Sequence, residues 1–212
     1  AHHDIRGFDA DYQIIISKFF YHMHFVQDLE GKSIATPGEA SIQYMLLKYY
    51  LNQNNIDIKD LKVSAMKVPS MNDALKSNQI DGMLTYEPFV TTAVENGNTE
   101  LVDSSEIIPG HPCCVVAASD DFLKEHPDEA KKIVEIHGNA TKYVQENPDD
   151  SVSQLPKDIV SNPDIEKKSL SGINFVSGLD DAYKQKVLDF MNIEVDLGVR
   201  PGAPASAAWL YR

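Results

Sequence analysis

The segment with the most obvious chemistry is a turn between a strand-like run and a helix-like run. Its residues are Thr36-Pro-Gly-Glu-Ala-Ser41. A helix start exposes unpaired backbone N–H groups and carries partial positive charge. Gly38 would let a ligand approach the backbone, and Thr36 and Ser41 would add hydroxyl donors, so the turn predicts a cradle for an oxyanion. The alternative is that one hydroxyl only caps the helix, since hydroxyl caps are common.

Two other polar segments follow strand-like runs. Tyr86 and Glu87 end a strand, at the kind of edge where open α/β sheets bind ligands, and could supply an aromatic wall and a carboxylate. The alternative is a helix start, with Glu87 in the first turn and Pro88 at its first position. His111, followed by Pro-Cys-Cys114, could add an imidazole and a thiol beside the same crevice, or could be a turn followed by small packing residues.

Metal and cofactor motifs are not found in the sequence. His22 and His24 alternate along one possible strand, but no third ligand stands at a recognisable spacing. Gly-x-Ser-x-Gly, P-loop and G-x-G-x-x-G patterns are also missing. We therefore predict no metal, no cofactor and no catalytic residues.

Strand-like and helix-like runs alternate through the first half of the chain. The strand-like runs are Tyr12–Ser17, 29–35, Asp60–Val68, Gly82–Thr85, Leu101–Asp103 and Cys113–Ala118. The helix after Ser41 has an apolar face, and Ser70 has the spacing of a second helix cap. This alternation predicts an α/β fold with a mostly parallel sheet, and the run at Cys113–Ala118 predicts a buried strand.

Two long amphipathic helices are predicted in the second half. The helix that begins at Pro127 should face inward through Ala130, Ile133, Val134, His137, Thr141 and Val144. The last helix should face inward through Tyr183, Val187, Phe190 and Met191.

Composition excludes several classes of function. The chain has 212 residues, 42% of them hydrophobic, which is enough for a proper core. Its formal charge of −13 disfavours nucleic acid and anionic membranes as partners. Its two cysteines are adjacent, so they cannot form a disulfide framework, and no apolar run is long enough to span a bilayer. The first residues do not have the pattern of a signal peptide.

Several segments, in order, resemble the nitrate/sulfonate/taurine/bicarbonate group of ABC-transporter substrate-binding proteins. The matching segments are Leu29–Ser41, Ile80–Phe89, Val102–Ser104, Pro109–Val115 and Asp121–Pro127. The resemblance covers residues 12–200 and implies a type II periplasmic-binding-protein fold, in which two lobes are joined by crossover strands. Tyr12–Ser17 and Cys113–Ala118 would be these crossovers and would run side by side.

The resemblance also implies a domain organisation. Residues 1–30 would form an N-terminal segment with the first crossover, residues 31–108 the second lobe, and residues 109–212 the second crossover with a reduced first lobe. The family's N-terminal βαβ portion has no counterpart in this sequence. We therefore expect weak solute binding, about millimolar, and apolar area exposed on the two long helices that favours a homo-oligomer.

The function implied is solute binding for an ABC importer, with a small anionic or polar organic solute and an ABC permease as partners. Such a protein would be exported to the periplasm or cell surface. The residues expected to bind the solute are Thr36, Gly38, Ala40, Ser41, Tyr86, Glu87 and His111. Two alternatives share this fold: an enzyme similar to thiamine-precursor synthases, and the ligand-sensing effector domain of a regulator.

Overall fold

The chain divides into two compact units. The computed structural model describes residues 7–9, 12–18, 23–156, 160, 162–178 and 180–202. One unit, the sheet unit, comprises residues 11–109 and 193–201. The other, the helical unit, comprises residues 110–192 together with 1–10 and 202–212. The strand that begins at Tyr12 thus belongs to the sheet unit, whereas the sequence placed it in a separate N-terminal segment.

Strands are concentrated in the first half of the chain and helices in the second. The strands are β1 (Gly7–Asp9), β2 (Tyr12–Ile16), β3 (Ser33–Thr36), β4 (Lys62–Ala65), β5 (Gly82–Tyr86), β6 (Thr99–Asp103), β7 (Cys114–Val115) and β8 (Asn174–Phe175). The helices are α1 (Ile42–Gln53), α2 (Val68–Lys76), α3 (Phe89–Glu95), α4 (Ser104–Ile107), α5 (Asp120–Glu125), α6 (Pro127–Glu146), α7 (Pro148–Gln154), α8 (Pro163–Gly172) and α9 (Asp181–Asp196). Short 3-10 turns lie at Val26–Leu29 and Ile58–Asp60.

The sheet unit contains a five-stranded mixed sheet with the order β4-β3-β5-β2-β6. β3 pairs in parallel with both β4 and β5, as the alternation of strands and helices predicted. β2 instead pairs antiparallel with both β5 and β6. The register sets Thr36 beside Ala65, so the carboxyl ends of β3 and β4 meet at one edge of the sheet.

β2 lies inside the sheet, between β5 and β6, and its side chains are buried on both faces. Ile14, Ile15 and Ile16 are fully buried, and burying an isoleucine contributes about 1.5–3 kcal/mol. Ile15 belongs to a core cluster that includes Met71 of α2 and Val90 of α3. Strand side chains alternate between faces, so Ile14 and Ile16 lie on the opposite face of the sheet. A continuous apolar run is typical of such a doubly covered strand.

The predicted crossover pair is wrong. Tyr12–Ile16 lies in the five-stranded sheet, whereas Cys114–Val115 lies in a separate antiparallel sheet of the helical unit, with the order β7-β1-β8. The strand beside β7 is β1, with Phe8 opposite Cys114. The run Cys113–Ala118 is also not a buried strand, because only two of its residues pair, and Cys114, Ala117 and Ala118 are exposed.

The helical unit buries part of each long helix. α9 buries Tyr183, Val187, Phe190 and Met191, which confirms the predicted face. α6 buries Ala130, Gly138 and Thr141, which are small residues. Ile133, predicted to face inward, is 45% exposed, and Ile136 is also exposed. The expectation of an exposed apolar face therefore fails for α9 and applies only to α6. No described helix has both the length and the apolar character that a bilayer crossing requires.

Candidate functional site

A cavity opens at the carboxyl ends of β3 and β4, within the sheet unit. Its volume is about 240 Å³. It is lined by Thr36, Gly38, Glu39, Tyr44, Ile58, Lys59, Leu61, Val63, Ser64 and Ala65. Thr36 and Gly38 were predicted from the sequence as binding residues, and the cavity brings them together. Its size suits a small solute or the head group of a larger one.

Thr36 brings an unusual polar atom to this cavity. The residue is only 1% exposed, yet its Oγ1 has no hydrogen-bond partner among the described residues. A buried hydroxyl without a partner costs about 1–3 kcal/mol. Position explains its burial, because Thr36 is the last residue of β3 and lies between β4 and β5 in the sheet. A binding role for Thr36 stays a prediction.

The turn after Thr36 shapes the rim of the cavity. Gly38 has a φ of +138°, a conformation that L side chains rarely adopt. Ser41 is the N-cap of α1: its Oγ accepts a hydrogen bond from the Tyr44 N–H at 3.2 Å and donates one to the Gly38 carbonyl at 2.6 Å. The single proton of the Ser41 hydroxyl is therefore already used inside the chain. Ala40 is exposed beside the cap and is not among the residues that line the cavity.

Charges of both signs surround the cavity. Glu39 and Lys59 both line it and are exposed. The pKa of Tyr44 is raised by burial first, then by the carboxylates of Glu39 and Asp57. The Tyr44 hydroxyl therefore stays protonated near neutral pH, and the negative charge of Glu39 reaches the cavity wall. A ligand here meets a cation, an anion and hydroxyl groups.

Tyr86 and Glu87 lie at the end of β5, the strand next to β3, and do not line this cavity. The Tyr86 ring makes edge-to-face contacts with Tyr12, at 6.4 Å between centroids, and with Phe89, at 5.7 Å. Both Glu87 carboxylate oxygens accept hydrogen bonds from Thr91, so Glu87 serves a helix start. The helix begins at Phe89, with Pro88 as its N-cap, one residue later than the helix-start alternative predicted. A role for either residue in binding stays a prediction.

The edge strand β6, on the side of the sheet away from β4, is acidic. The pKa of Glu100 on β6 is raised by burial first, then by the nearby carboxylates of Asp103, Glu106 and Glu87. Mutual repulsion among these groups also disfavours a bound anion at this edge.

His111 belongs to the helical unit, where it is 4% exposed. Its ring stacks on Phe190 at 5.8 Å between centroids. Its Nδ1 lies 3.3 Å from the Pro112 carbonyl. These contacts match the alternative in which this segment is packing, and a binding role for His111 stays a prediction.

The sequence offered two histidines, His22 and His24, as weak candidates for metal ligands. The structure describes only His24, which is exposed. His22 lies outside the described residues. Within the described ranges, no three His, Cys, Asp or Glu side chains are close enough together to hold a metal ion.

Sequence reasoning missed the far wall of the cavity. This wall includes Ser64 of β4 and, from the 3-10 turn before β4, Ile58 and Lys59. The sequence did contain a signal for this wall. It predicts a strand at Asp60–Val68, and neighbouring parallel strands place their carboxyl ends together. The exact register, with Thr36 beside Ala65, was not available from the pattern.

Comparison with known proteins identifies relatives of this chain. A candidate binding protein of Brucella abortus (strain 2308) is 27% identical over 155 residues, which is 71% of this chain and 48% of that protein. The chain thus spans about half the length of the curated relatives it matches.

Solved structures share the fold. The alkanesulfonate-binding protein SsuA from Xanthomonas axonopodis pv. citri, bound to MOPS, superposes with a TM-score of 0.76 at 14% identity, covering 94% of this chain and 71% of that one. The desulfurization enzyme DszB superposes with a TM-score of 0.71 at 11% identity, covering 97% and 75%. At such identities the likeness establishes the fold alone.

The family is established by a direct match. The model of the NMT1-like family matches residues 23–154, which include β3, the cavity turn, Tyr86, Glu87 and His111. That match spans more than half of the chain. The resemblance to ABC-transporter substrate-binding proteins is confirmed in family and fold, and this chain belongs to the NMT1-like family.

Proposed function

We propose that this chain is a solute-binding component of an ABC importer and that the β3–β4 cavity binds the charged head of a small organic solute. The relatives support this, because one is a candidate binding protein and a structural neighbour binds alkanesulfonates. The permease partner, the exported location and the absence of catalysis belong to the same proposal.

The observation that carries the proposal is the buried Thr36 hydroxyl. It is a donor with no partner in the part of the chain that the structure describes, and Thr36 lines a cavity whose rim is formed by a glycine turn and the start of α1. The first turn of a helix leaves backbone N–H groups unpaired and carries partial positive charge. A sulfonate or carboxylate oxygen would satisfy the hydroxyl and gain from that charge.

The charges around the cavity favour a zwitterion over a simple anion. Glu39 would repel a second negative group but would attract an ammonium, while Lys59 would attract the acidic head. Within the nitrate, sulfonate and taurine class, an amino sulfonate such as taurine satisfies both. Ethanesulfonate has the same acidic head without the ammonium and provides the matched comparison.

Calorimetric titration of the chain with taurine, ethanesulfonate and nitrate tests the proposal. We expect taurine to bind with a Kd of about 1 mM, equivalent to about −4.1 kcal/mol, and ethanesulfonate to bind more weakly. Glu39→Gln should remove the difference between the two sulfonates. Binding of none of them, or equal binding of both to the unaltered chain, would contradict the choice of solute.

An enzyme of the same fold is the competing function, because DszB is among the structural neighbours. Incubating the chain with biphenyl-2-sulfinate and with taurine, followed by a sulfite assay, separates the two. We expect no sulfite above the level of a buffer control. Sulfite released in proportion to protein concentration would show that the chain is a catalyst.

A further inference from the structure

The two cysteines of the helical unit face each other across a short distance. Cys113 Sγ and Cys114 Sγ lie 3.1 Å apart. Cys113 lies just before β7 and Cys114 is its first residue, so the strand alternation does not separate the two side chains. Cys114 is exposed, Cys113 is half-buried, and β7 is the edge strand of its sheet. The pair is therefore accessible to a small reagent.

Oxidation to a disulfide does not suit this pair. Consecutive Cα atoms are about 3.8 Å apart, whereas disulfides span about 4.4–6.8 Å between Cα atoms. A bridge between adjacent cysteines is therefore strained and easily reduced. The reduced dithiol is the state to consider.

The distance between the two Sγ atoms can be compared with the sulfur–sulfur distances that different coordination geometries require. With a metal–sulfur bond of about 2.3 Å, linear coordination needs sulfurs about 4.6 Å apart and tetrahedral zinc needs about 3.8 Å. A pyramidal centre with angles near 90° needs only about 3.3 Å for the same bond length. The observed 3.1 Å fits the pyramidal case. Zinc is also disfavoured because no third metal-ligating side chain joins the pair among the described residues.

We propose that Cys113 and Cys114 form a chelating site for a trivalent arsenical, a pyramidal thiophilic centre that brings its own third substituent. An arsenoxide, R–As=O, condenses with both thiols. Two S–H bonds and the As=O bond break, two As–S bonds form, and the oxygen leaves as water with the two thiol protons. Arsenic stays trivalent, so the step needs no oxidant or reductant.

The test uses phenylarsine oxide with the reduced full chain. Intact mass spectrometry should show one arsenical per chain with loss of one water, and titration of free thiols should show both consumed. The adduct should survive excess glutathione and be reversed by 2,3-dimercaptopropanol. The chain has no other cysteine, so every adduct reports on this pair.

Cys113→Ser and Cys114→Ser are the matched controls, because each leaves one thiol. The apparent affinity for phenylarsine oxide should fall about 100-fold or more in either variant. This is the lower end of the gain that two linked contacts provide over one. Two arsenicals per chain, equal affinity in a single-thiol variant, or no adduct on the reduced chain would each overturn the proposal. As a control, iodoacetamide should label both thiols of the reduced chain in the same sample, which shows that they are accessible. Failure of this labelling would overturn the proposal, because the site depends on accessible thiols.

Discussion

The Glu87 carboxylate is held by Thr91, four residues later: Oε2 accepts the Thr91 backbone N–H at 3.0 Å and Oε1 accepts the Thr91 hydroxyl at 2.9 Å. Both oxygens thus serve the first turn of α3, where a negative charge is favourable. The relationship gives Glu87 a structural role at the end of β5. It also orders the segment that carries Tyr86.

Glu87→Ala should lower the free energy of unfolding by about 1–2 kcal/mol, the range for a helix cap with a charged acceptor. Thr91→Val should cost less, because it removes only the hydroxyl bond and keeps the backbone one. Urea denaturation followed by circular dichroism measures both. If Glu87→Ala leaves stability unchanged but weakens taurine binding, the carboxylate is a ligand group instead.

Thr36→Val and Thr85→Val form a matched pair. Both threonines are almost fully buried on neighbouring strands, and neither Oγ1 has a hydrogen-bond partner within the described ranges, but only Thr36 lines the cavity. Each valine should be neutral or stabilising by about 1 kcal/mol, because it removes a buried, unsatisfied hydroxyl. Taurine affinity should fall about tenfold or more in Thr36→Val, since a hydrogen bond to a charged group contributes about 1.5–3 kcal/mol. Equal loss of affinity in both variants would show that the effect is not local to the cavity.

Gly82→Ala should destabilise the sheet unit by about 1–3 kcal/mol through overpacking. A Cβ at Gly82 would lie 2.9 Å from Cδ1 of both Ile16 and Ile34 and 3.0 Å from the Ile15 carbonyl oxygen. Gly202→Ala is the control, because its Cβ meets nothing within 4 Å, and its effect should stay within about 0.5 kcal/mol. The midpoints of thermal and urea unfolding measure the difference. Similar stability of the two variants would contradict the close packing of β2, β3 and β5.

The reactivity of Cys114 should depend on its neighbour. The thiol of Cys113 donates a hydrogen bond that lowers the pKa of Cys114 to about 6, with burial opposing the shift. The thiolate fraction therefore rises through about pH 6, whereas an ordinary thiol has a pKa of about 8.5. Cys113→Ser keeps a donor and Cys113→Ala removes it, and each leaves only Cys114 to alkylate. The pH midpoint of the iodoacetamide rate should be higher in the alanine variant, and identical midpoints would contradict the role of the hydrogen bond.

Local signals in the sequence predicted the elements that position the cavity. The helix after Ser41 is present with that residue as its N-cap, and strands end at Thr36 and Tyr86. These features depend on neighbouring residues, which is why pattern and capping rules detect them. The pattern could not show which of the two hydroxyls in the turn caps the helix: Ser41 is the cap, and the Thr36 hydroxyl has no partner among the residues that the structure describes.

Features that depend on tertiary packing were not predictable in the same way. Ser70 has a capping pattern, yet α2 begins at Val68, because Val68 is buried in the core and Pro69 suits a first turn. The apolar run at Cys113–Ala118 was interpreted as a buried strand, but it follows the edge of a small sheet. Periodicity cannot show how many neighbours a strand will have, and that number decides its burial.

An NMR titration with taurine is the sharpest test of solute binding at the β3–β4 cavity, because it detects millimolar binding and locates it in the chain. In ¹H–¹⁵N spectra of the labelled chain, we predict saturable shifts at the amides of Thr36, Gly38, Tyr44 and Ser64, and their loss in Thr36→Val. Amides of residues 127–146 should not move. Shifts confined to that helix, or no saturable shift at the cavity, would contradict a solute site at the β3–β4 edge.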